Sequence, residues 1–421
     1  MMRQLFRGKR DSIYTPTVLM LISIVGVSFL GLGLVMPLRA LYGREIGASS
    51  TEIGLMTASF LLAGFIASPG IGWLADRFGY KNVLWLGLLL HALLMLAYIP
   101  VQDPILLIGL RAIEGIASVS VLPPTRALMN TIAPKNRQGE ALGLVSAAQT
   151  VGILIGPAVG AVLASQTGYI LSFVIASVPL VIAALVTLLF LPREEKQEQL
   201  AIQERGLFAR GLFTRPLMLV YSLQVVLMLT NGVGMAVWSL YMLDRGASLP
   251  LIGLSYTTFA LPVIFMAPLG GRFSDRYGRY WPFLVGLILT SLIFCLYSTP
   301  VNAWEIIGIS AFEGAVTAIA RGALDGLLAD VMPQHMKGKA QANYSAASLI
   351  GNLIGATVAG LLYGYGTGLP FLVEGVVCLA ACALLLLPVF ARDFHAARRP
   401  GAERMVTTQI IAPEEEAMLK L

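Results

Sequence analysis

The chain of 421 residues is strongly apolar and weakly charged: hydrophobic residues make up 57%, charged residues 12%, and the mean hydropathy is +0.78. Soluble domains have about half their residues apolar and about a quarter charged, so this composition excludes an ordinary water-soluble fold. The formal net charge of +6 arises from basic residues in short loops beside apolar runs, which is typical of membrane proteins. No nucleic-acid partner is therefore predicted.

Twelve apolar segments, each long enough to cross the hydrocarbon core, are predicted to span the membrane as helices. We number them spans 1 to 12, at 16–38, 51–74, 82–100, 104–128, 140–164, 170–191, 216–242, 250–273, 281–299, 304–330, 340–364 and 369–390. The first apolar run follows basic residues but shows no clear cleavage site of small residues, so span 1 is predicted to be retained. The predicted fold class is an all-α, multi-pass membrane protein.

The distribution of basic residues predicts the orientation of the chain. Twelve spans place both termini on one side. Six of the 29 Lys and Arg residues lie away from that side, in the opposite loops or within spans: Arg39, Arg44 and Arg245, and Arg111, Arg126 and Arg321. The other 23 lie on the terminal side, which is therefore predicted to be the cytoplasm. We expect the plasma membrane, or the inner membrane of a bacterium that has two.

The chain repeats itself with a constant offset of 199 residues, which brings Gly72 onto Gly271, Asp76 onto Asp275 and Glu114 onto Glu313. Six helices per copy is an even number, so the copies are parallel and related by an axis along the membrane normal. The prediction is two pseudo-twofold-related six-helix bundles with a cavity between them. The predicted divisions are a cytoplasmic N-terminus, first bundle, cytoplasmic linker, second bundle and cytoplasmic tail, at 1–15, 16–191, 192–215, 216–390 and 391–421.

Span 2 is followed by a Gly- and Asp-containing motif, Gly72 to Lys81, and span 8 by a second copy, Gly271 to Arg279. An aspartate at a helix end can accept hydrogen bonds from the N-terminal amides of another helix. Such a contact would latch the halves together on the cytoplasmic side. The residues assigned to this cytoplasmic gate are Gly72, Asp76, Arg77, Gly79, Asp275 and Arg276. Arg126 and Asp325 occupy symmetric positions at the ends of spans 4 and 10, where they either pair across the halves or pair within their own halves.

With these residues the chain resembles the major facilitator superfamily, whose signature between helices 2 and 3 is G-x-L-A-D-R-x-G-R-K. The first copy departs from it at Tyr80, where the family usually has a basic residue. The resemblance covers nearly the whole chain. It implies the twelve-helix fold and alternating access by a rocker-switch motion.

Span 4 carries Arg111 and Glu114 near the membrane midplane. Residues three apart share one face of a helix and can neutralise each other. The segment is similar to the family's R-x-x-Q-G motif, which is associated with proton coupling, with Glu114 in place of the glutamine. A purely structural buried ion pair is the alternative.

Span 10 carries Glu313 at the equivalent depth, but Ser310 stands where an arginine would repeat. A buried carboxyl without a fixed cation suits a group that gains and loses a proton during transport. Glu313 is therefore the hypothesised principal proton site, with Glu114 and Arg111 tuning it or contacting substrate. A permanently protonated core glutamate is the alternative.

Span 5 carries Gly152, Gly156, Pro157 and Gly160. Small residues at every fourth position allow close helix packing. The segment is similar to the family's G-x-x-x-G-P-x-x-G motif, associated with exporters and antiporters, with Ala161 in place of a further glycine. Generic tight packing explains it equally well.

The predicted cavity lining is aromatic and mildly polar. It comprises Gln149 on span 5, Gln224, Asn231, Trp238 and Tyr241 on span 7, and Asn352 on span 11. Such a surface suits amphipathic or lipophilic substrates.

The leading functional hypothesis is a proton-coupled exporter of drugs or other hydrophobic or amphipathic small molecules, resembling the twelve-helix drug:proton antiporters and acting as a monomer. The alternatives are a transporter of an anionic metabolite or lipid, with Arg111 as its counter-ion, and a membrane sensor or scaffold without flux. An enzyme is not predicted, since no phosphate-binding loop, His-rich metal set or Ser/His/Asp pattern is found. No cofactor or metal is predicted.

Overall fold

The computed structural model describes residues 13–192, 212–299, 301–333 and 336–386. Within these ranges the chain forms helices and no strands. Most of the predicted N-terminus 1–15 and linker 192–215, the whole tail 391–421 and the last residues of the second bundle lie outside the described residues.

The described part of the chain contains ten helices that are long and apolar enough to cross a membrane. One of them, Gln138–Phe190, changes direction at Gly168, so its two arms are spans 5 and 6, and the shorter helix Leu369–Leu385 is span 12. The other nine spans are, in order, Pro16–Glu45, Ser50–Phe78, Tyr80–Ala97, Pro104–Ile132, Arg215–Asp244, Leu249–Tyr277, Tyr280–Tyr297, Ala303–Val331 and Lys337–Tyr363. The predicted twelve-helix fold is confirmed.

The sequence repeat is also a repeat of local structure. Asp103 caps span 4 by accepting a hydrogen bond from a backbone amide at 2.8 Å, and Asn302, 199 residues later, caps span 10 at 3.0 Å. Gly79 and Gly278 end spans 2 and 8 with φ values of 91° and 90°, a conformation that a Cβ atom disfavours. The two halves therefore use the same helix ends and turns.

Two buried apolar clusters show where the halves join. We call the face at which span 1 begins and span 12 ends the terminal side, and the opposite face the far side. One cluster runs through the first half and continues into the far-side ends of the second, as at Tyr297 and Phe371. The other lies at the terminal-side ends of the second half, as at Leu217, Phe283 and Leu385. The halves thus share a core toward the far side.

The outward face of the bundle is apolar. Leu93, Leu185 and Leu292 on spans 3, 6 and 9 are each about half exposed. Leucine-rich exposed faces of this extent are unfavourable in water but match the hydrocarbon core of a bilayer. The chain is therefore a multi-pass membrane protein.

Candidate functional site

A cavity of about 310 Å³ lies between the two halves. Most of its wall is apolar or aromatic, formed by Phe29, Leu32, Met36, Met56, Phe60, Val121, Ile153 and Met235. Ser239 on span 7 and Tyr256 on span 8 close it from the second half. Its charged wall consists of Arg39, His91, Arg111 and Glu114. The cavity therefore combines a large apolar surface with one compact charged cluster.

Glu114 is the centre of that cluster. Arg111 Nη1 donates to Glu114 Oε2 at 2.7 Å, as its position three residues earlier on the helix predicts. Tyr98 donates to the same oxygen at 2.7 Å. Arg39 donates to Oε1, and His91 Nε2 lies 4.0 Å from it. Both carboxylate oxygens are thus engaged, and Glu114 is almost fully buried.

The position of Arg39 corrects an expectation from the sequence. The sequence places Arg39 in a far-side loop, but span 1 resumes as the helix Leu38–Glu45 after a break before it. The break coincides with Pro37, whose ring prevents a regular helix hydrogen bond. The Arg39 side chain is only 11% exposed and is paired with Glu114, because a buried guanidinium needs an opposite charge. Arg44 and Arg245 remain as far-side basic residues.

Glu313 occupies the same position in the second half but has different neighbours. Tyr297 donates to Glu313 at 2.9 Å, just as Tyr98 donates to Glu114. The residues 199 positions after Arg39, His91 and Arg111 are Trp238, Thr290 and Ser310. Among the described residues Glu313 consequently has no ion pair, and one hydrogen bond from Tyr297 is its polar contact.

The glycines of the span 5 motif pack against span 1. A Cβ atom on Gly152 would stand 2.7 Å from the backbone of Leu30, and one on Gly156 would stand 2.6 Å from Gly33. Gly160 lies against the backbone of Leu34. These contacts lie within the first half, so the three glycines allow spans 1 and 5 to approach closely.

Small residues also bring the two halves together on the far side. A Cβ on Gly54 of span 2 would stand 2.7 Å from Gly360 of span 11. The repeat places the matching contact between Gly253 of span 8 and Ala161 of span 5, at 2.5 Å. Pro157, the proline of the span 5 motif, also touches Gly253 through its carbonyl oxygen. No side chain could be added at these glycines without separating the halves.

An ion pair that the sequence did not single out crosses the far side. Arg44 Nη1 lies 2.6 Å from Asp244 Oδ1, and Tyr363 donates to Asp244 Oδ2 at 2.7 Å. Arg44 belongs to the first half, whereas Asp244 and Tyr363 belong to the second. A polar contact therefore joins the halves on the far side, in addition to the glycine contacts.

On the terminal side the motif residues make contacts within their own halves. Asp76 accepts a hydrogen bond from Tyr80 at 2.8 Å, Asp275 pairs with Arg279, and Asp325 accepts one from Tyr344 at 2.8 Å. Arg77, Arg276 and Arg126 are exposed. A Cβ atom added to Gly72 or Gly271 would meet no atom of the described residues within 4 Å. Among the described residues these motif residues thus form no contact between the halves, and the predicted cytoplasmic gate stays a prediction for a state in which this side closes.

The six residues that the sequence predicts as cavity lining do not line the cavity between the halves. Gln224 donates to Ser348 at 2.7 Å and Trp238 to Ser255 at 2.9 Å. Tyr241 donates to the carbonyl oxygen of Tyr297, Asn352 bonds within its own helix, and Gln149 and Asn231 are not fully buried. The contacts of the first three hold spans of the second half together. Substrate contact by these six residues stays a prediction.

Comparison with known proteins identifies the family. The Major Facilitator Superfamily profile matches residues 21–237 and again 220–416. Multidrug resistance protein 2 of Bacillus subtilis is 25% identical over 380 residues, covering 88% of this chain and 94% of that protein. Quinolone resistance protein NorA of Staphylococcus aureus is 25% identical over 368 residues, covering 85% and 93%.

Among solved structures, the chain is similar to a bacterial homologue of the human lysosomal transporter Spinster, in an inward-facing and unoccupied conformation. The TM-score is 0.74 at 18% identity, covering 92% of this chain and 98% of that one. The protein belongs to the major facilitator superfamily. It is a membrane transporter and not an enzyme.

Proposed function

We propose that this major facilitator superfamily transporter exports amphipathic small molecules in exchange for protons, with Glu313 as its principal proton site. The observation that supports this most is the contrast between Glu313 and Glu114. Glu114 is neutralised by two arginines, whereas Glu313 has a hydrogen bond from Tyr297. A carboxyl group without a fixed cation can lose its proton when water reaches it and regain it when the surroundings close.

Export is supported by the cavity and by the relatives. The cavity wall is rich in Phe and Met. Methionine is flexible and adapts to differently shaped apolar groups. Two relatives are named for multidrug and quinolone resistance. The protein would act as a monomer in the plasma membrane with both termini in the cytoplasm.

Alternating access is supported by the way the halves meet. On the far side they touch through Gly54 and Gly360 and through one ion pair, Arg44 with Asp244. Backbone-to-backbone contacts of this kind can separate without unlocking interdigitated side chains. In the opposite state, Asp76 and its repeat Asp275 would latch the terminal side, with Arg126 and Asp325 close to each other.

The test is proton flux in proteoliposomes that contain a pH-sensitive dye, with a panel of amphipathic drugs and dyes as substrates. Wild-type protein should release protons in a substrate-dependent manner, and Glu313→Gln should abolish coupling. Glu374→Gln is the matched control, because Glu374 is a buried carboxyl in the same half but on span 12. If Glu313→Gln retained proton-coupled transport, the assignment would be wrong. If wild type moved no protons with any substrate, the proposed exchange for protons would be wrong.

A further inference from the structure

The charged cluster in the cavity has an excess of positive charge in every protonation state. Arg39 and Arg111 are always protonated, and Glu114 can cancel one of them at most. His91 contributes either no charge or a further positive one. The four side chains are between 1% and 11% exposed. The net charge of this nearly buried cluster is therefore at least +1, although buried charges are normally balanced.

Glu114 cannot satisfy all the donors that surround it. Its two oxygens already accept bonds from Arg39, Arg111 and Tyr98. Arg39 Nε, Arg111 Nε and His91 Nδ1 are buried and have no hydrogen-bond partner among the described residues. Water could satisfy these nitrogens, but it could not neutralise the charge.

The surroundings offer no second acid. The guanidinium of Arg111 lies 4.2 Å from the centre of the Phe60 ring, so one of its faces is covered by an aromatic group. The opposite wall of the cavity is formed by Met235, Ser239 and Tyr256 of the second half. Among the described residues lining the cavity, Glu114 is the one acidic group.

The second half shows that a tyrosine–glutamate pair of this kind forms without arginines. Its tyrosine–glutamate pair, Tyr297 with Glu313, has the same geometry as Tyr98 with Glu114. It is formed without any arginine, because Trp238 and Ser310 occupy the positions that correspond to Arg39 and Arg111. The arginines are therefore specific to the first half, which supplies most of the cavity lining.

We propose that the cavity binds a molecule with one anionic group on an apolar body, with the anion on Arg39 and Arg111 and the body against Phe29, Phe60 and Met235. Guanidinium groups bind carboxylate and phosphate oxygens through paired hydrogen bonds. The proposal rests on the proposed transport function and specifies its substrate class. A single ligand of this kind would contact both the apolar wall and the positive cluster.

The test is equilibrium binding to the purified full-length protein, without a proton gradient. The probes are 2-naphthoate, indole-3-acetate and 4-phenylbutyrate, each compared with its uncharged primary amide by calorimetry at pH 7. At least one acid should bind about tenfold tighter than its amide. Arg39→Gln and Arg111→Gln should remove this preference, whereas Arg272→Gln, an exposed arginine away from the cavity, should keep it.

Glu114→Gln distinguishes anion binding from a purely structural role of the two arginines. It frees both guanidinium groups, so the acid should bind more tightly, whereas a purely structural role would give weaker binding. Size-exclusion profiles identify variants that do not fold. The proposal is overturned if no acid binds wild type, if amides bind as well as acids, or if a folded Arg111→Gln protein keeps the preference.

The anion could belong to a soluble compound or to a lipid headgroup. Repeating the titration in phosphatidylcholine nanodiscs with and without phosphatidylglycerol distinguishes the two sources. Competition by phosphatidylglycerol assigns the site to a lipid phosphate, and unchanged binding assigns it to soluble acids. Since no gradient is used, failure of this test leaves proton coupling through Glu313 unaffected, and failure of the flux test leaves anion binding unaffected.

Discussion

Arg44 and Asp244 form an ion pair of 2.6 Å that joins the two halves on the far side of the membrane. Their side chains are 45% and 21% exposed, so the pair contributes about 0–1 kcal/mol. Tyr363 adds a hydrogen bond to the same carboxylate. A contact of this strength can break in every transport cycle, and it biases the conformational equilibrium rather than locking it.

Reversing one charge of this pair should open the far side. Asp244→Arg places two positive charges together, so the population with an open far side should rise several-fold, and Arg44→Asp in the same chain should restore closure. Spin labels at Ser49 and Leu243, with the native cysteines replaced, report the distance between the halves. Identical distance distributions in wild type and Asp244→Arg would show that the pair has no part in closure.

Enlarging Gly54 should prevent far-side closure. Even a Cβ at this position would stand 2.7 Å from Gly360, so Gly54→Leu should reduce transport to near background and leave the far side open. Gly109→Leu is the control, because a Cβ on Gly109 would meet nothing within 4 Å among the described residues. Substrate flux and the same spin labels measure both effects. Normal transport by Gly54→Leu would contradict this closure mechanism.

Neutralising the two equivalent glutamates should affect stability differently. Glu114→Gln leaves Arg39 and Arg111 buried without a counter-charge, and breaking a buried pair costs about 3–5 kcal/mol. Glu313→Gln removes no ion pair among the described contacts. Thermal unfolding in detergent should therefore show a Tm several degrees lower for Glu114→Gln and little change for Glu313→Gln. Equal losses would indicate that Glu313 has a cation partner.

Removing the tyrosine hydroxyls should also act asymmetrically on transport. Tyr297→Phe removes the hydrogen bond that Glu313 receives, so proton-coupled transport should fall several-fold. Tyr98→Phe should have a smaller effect, because Glu114 keeps both arginines. Initial rates in proteoliposomes, normalised to the amount of inserted protein, provide the measurement. The reverse order of effects would move the proton site to Glu114.

If Arg126 and Asp325 form a gate, the two residues should come close together when the terminal side closes. Cysteines at positions 126 and 325 should crosslink more readily in Asp244→Arg, which favours far-side opening, than in the wild-type background. Cysteines at 109 and 308, which lie outside the gate, serve as the control pair. If the 126–325 pair never crosslinked in either background, the proposed gate between Arg126 and Asp325 would be wrong.

Residues close together in the sequence could be assigned as partners before the structure was known. Arg111 and Glu114 are three apart, and helix geometry places them on one face. Arg39 is 75 residues from Glu114, and the prediction assigned it to a loop, just beyond the predicted end of span 1 at residue 38. Tyr98 and Tyr297 were also missed, although their separation of 199 residues repeats that of the glutamates and could have indicated them.

The sequence by itself determined the twelve spans, the duplication and the family, because these depend on apolar runs and on a repeat that can be counted along the chain. Tertiary structure alone decided which side of the bundle is closed, that Arg44 meets Asp244, and that Arg39 enters the cavity. These contacts join residues of different spans or halves, and their distances depend on how the helices pack. The packing also produced the asymmetry on which the proposals rest, a charge-compensated Glu114 and a Glu313 that has no cation among the described residues.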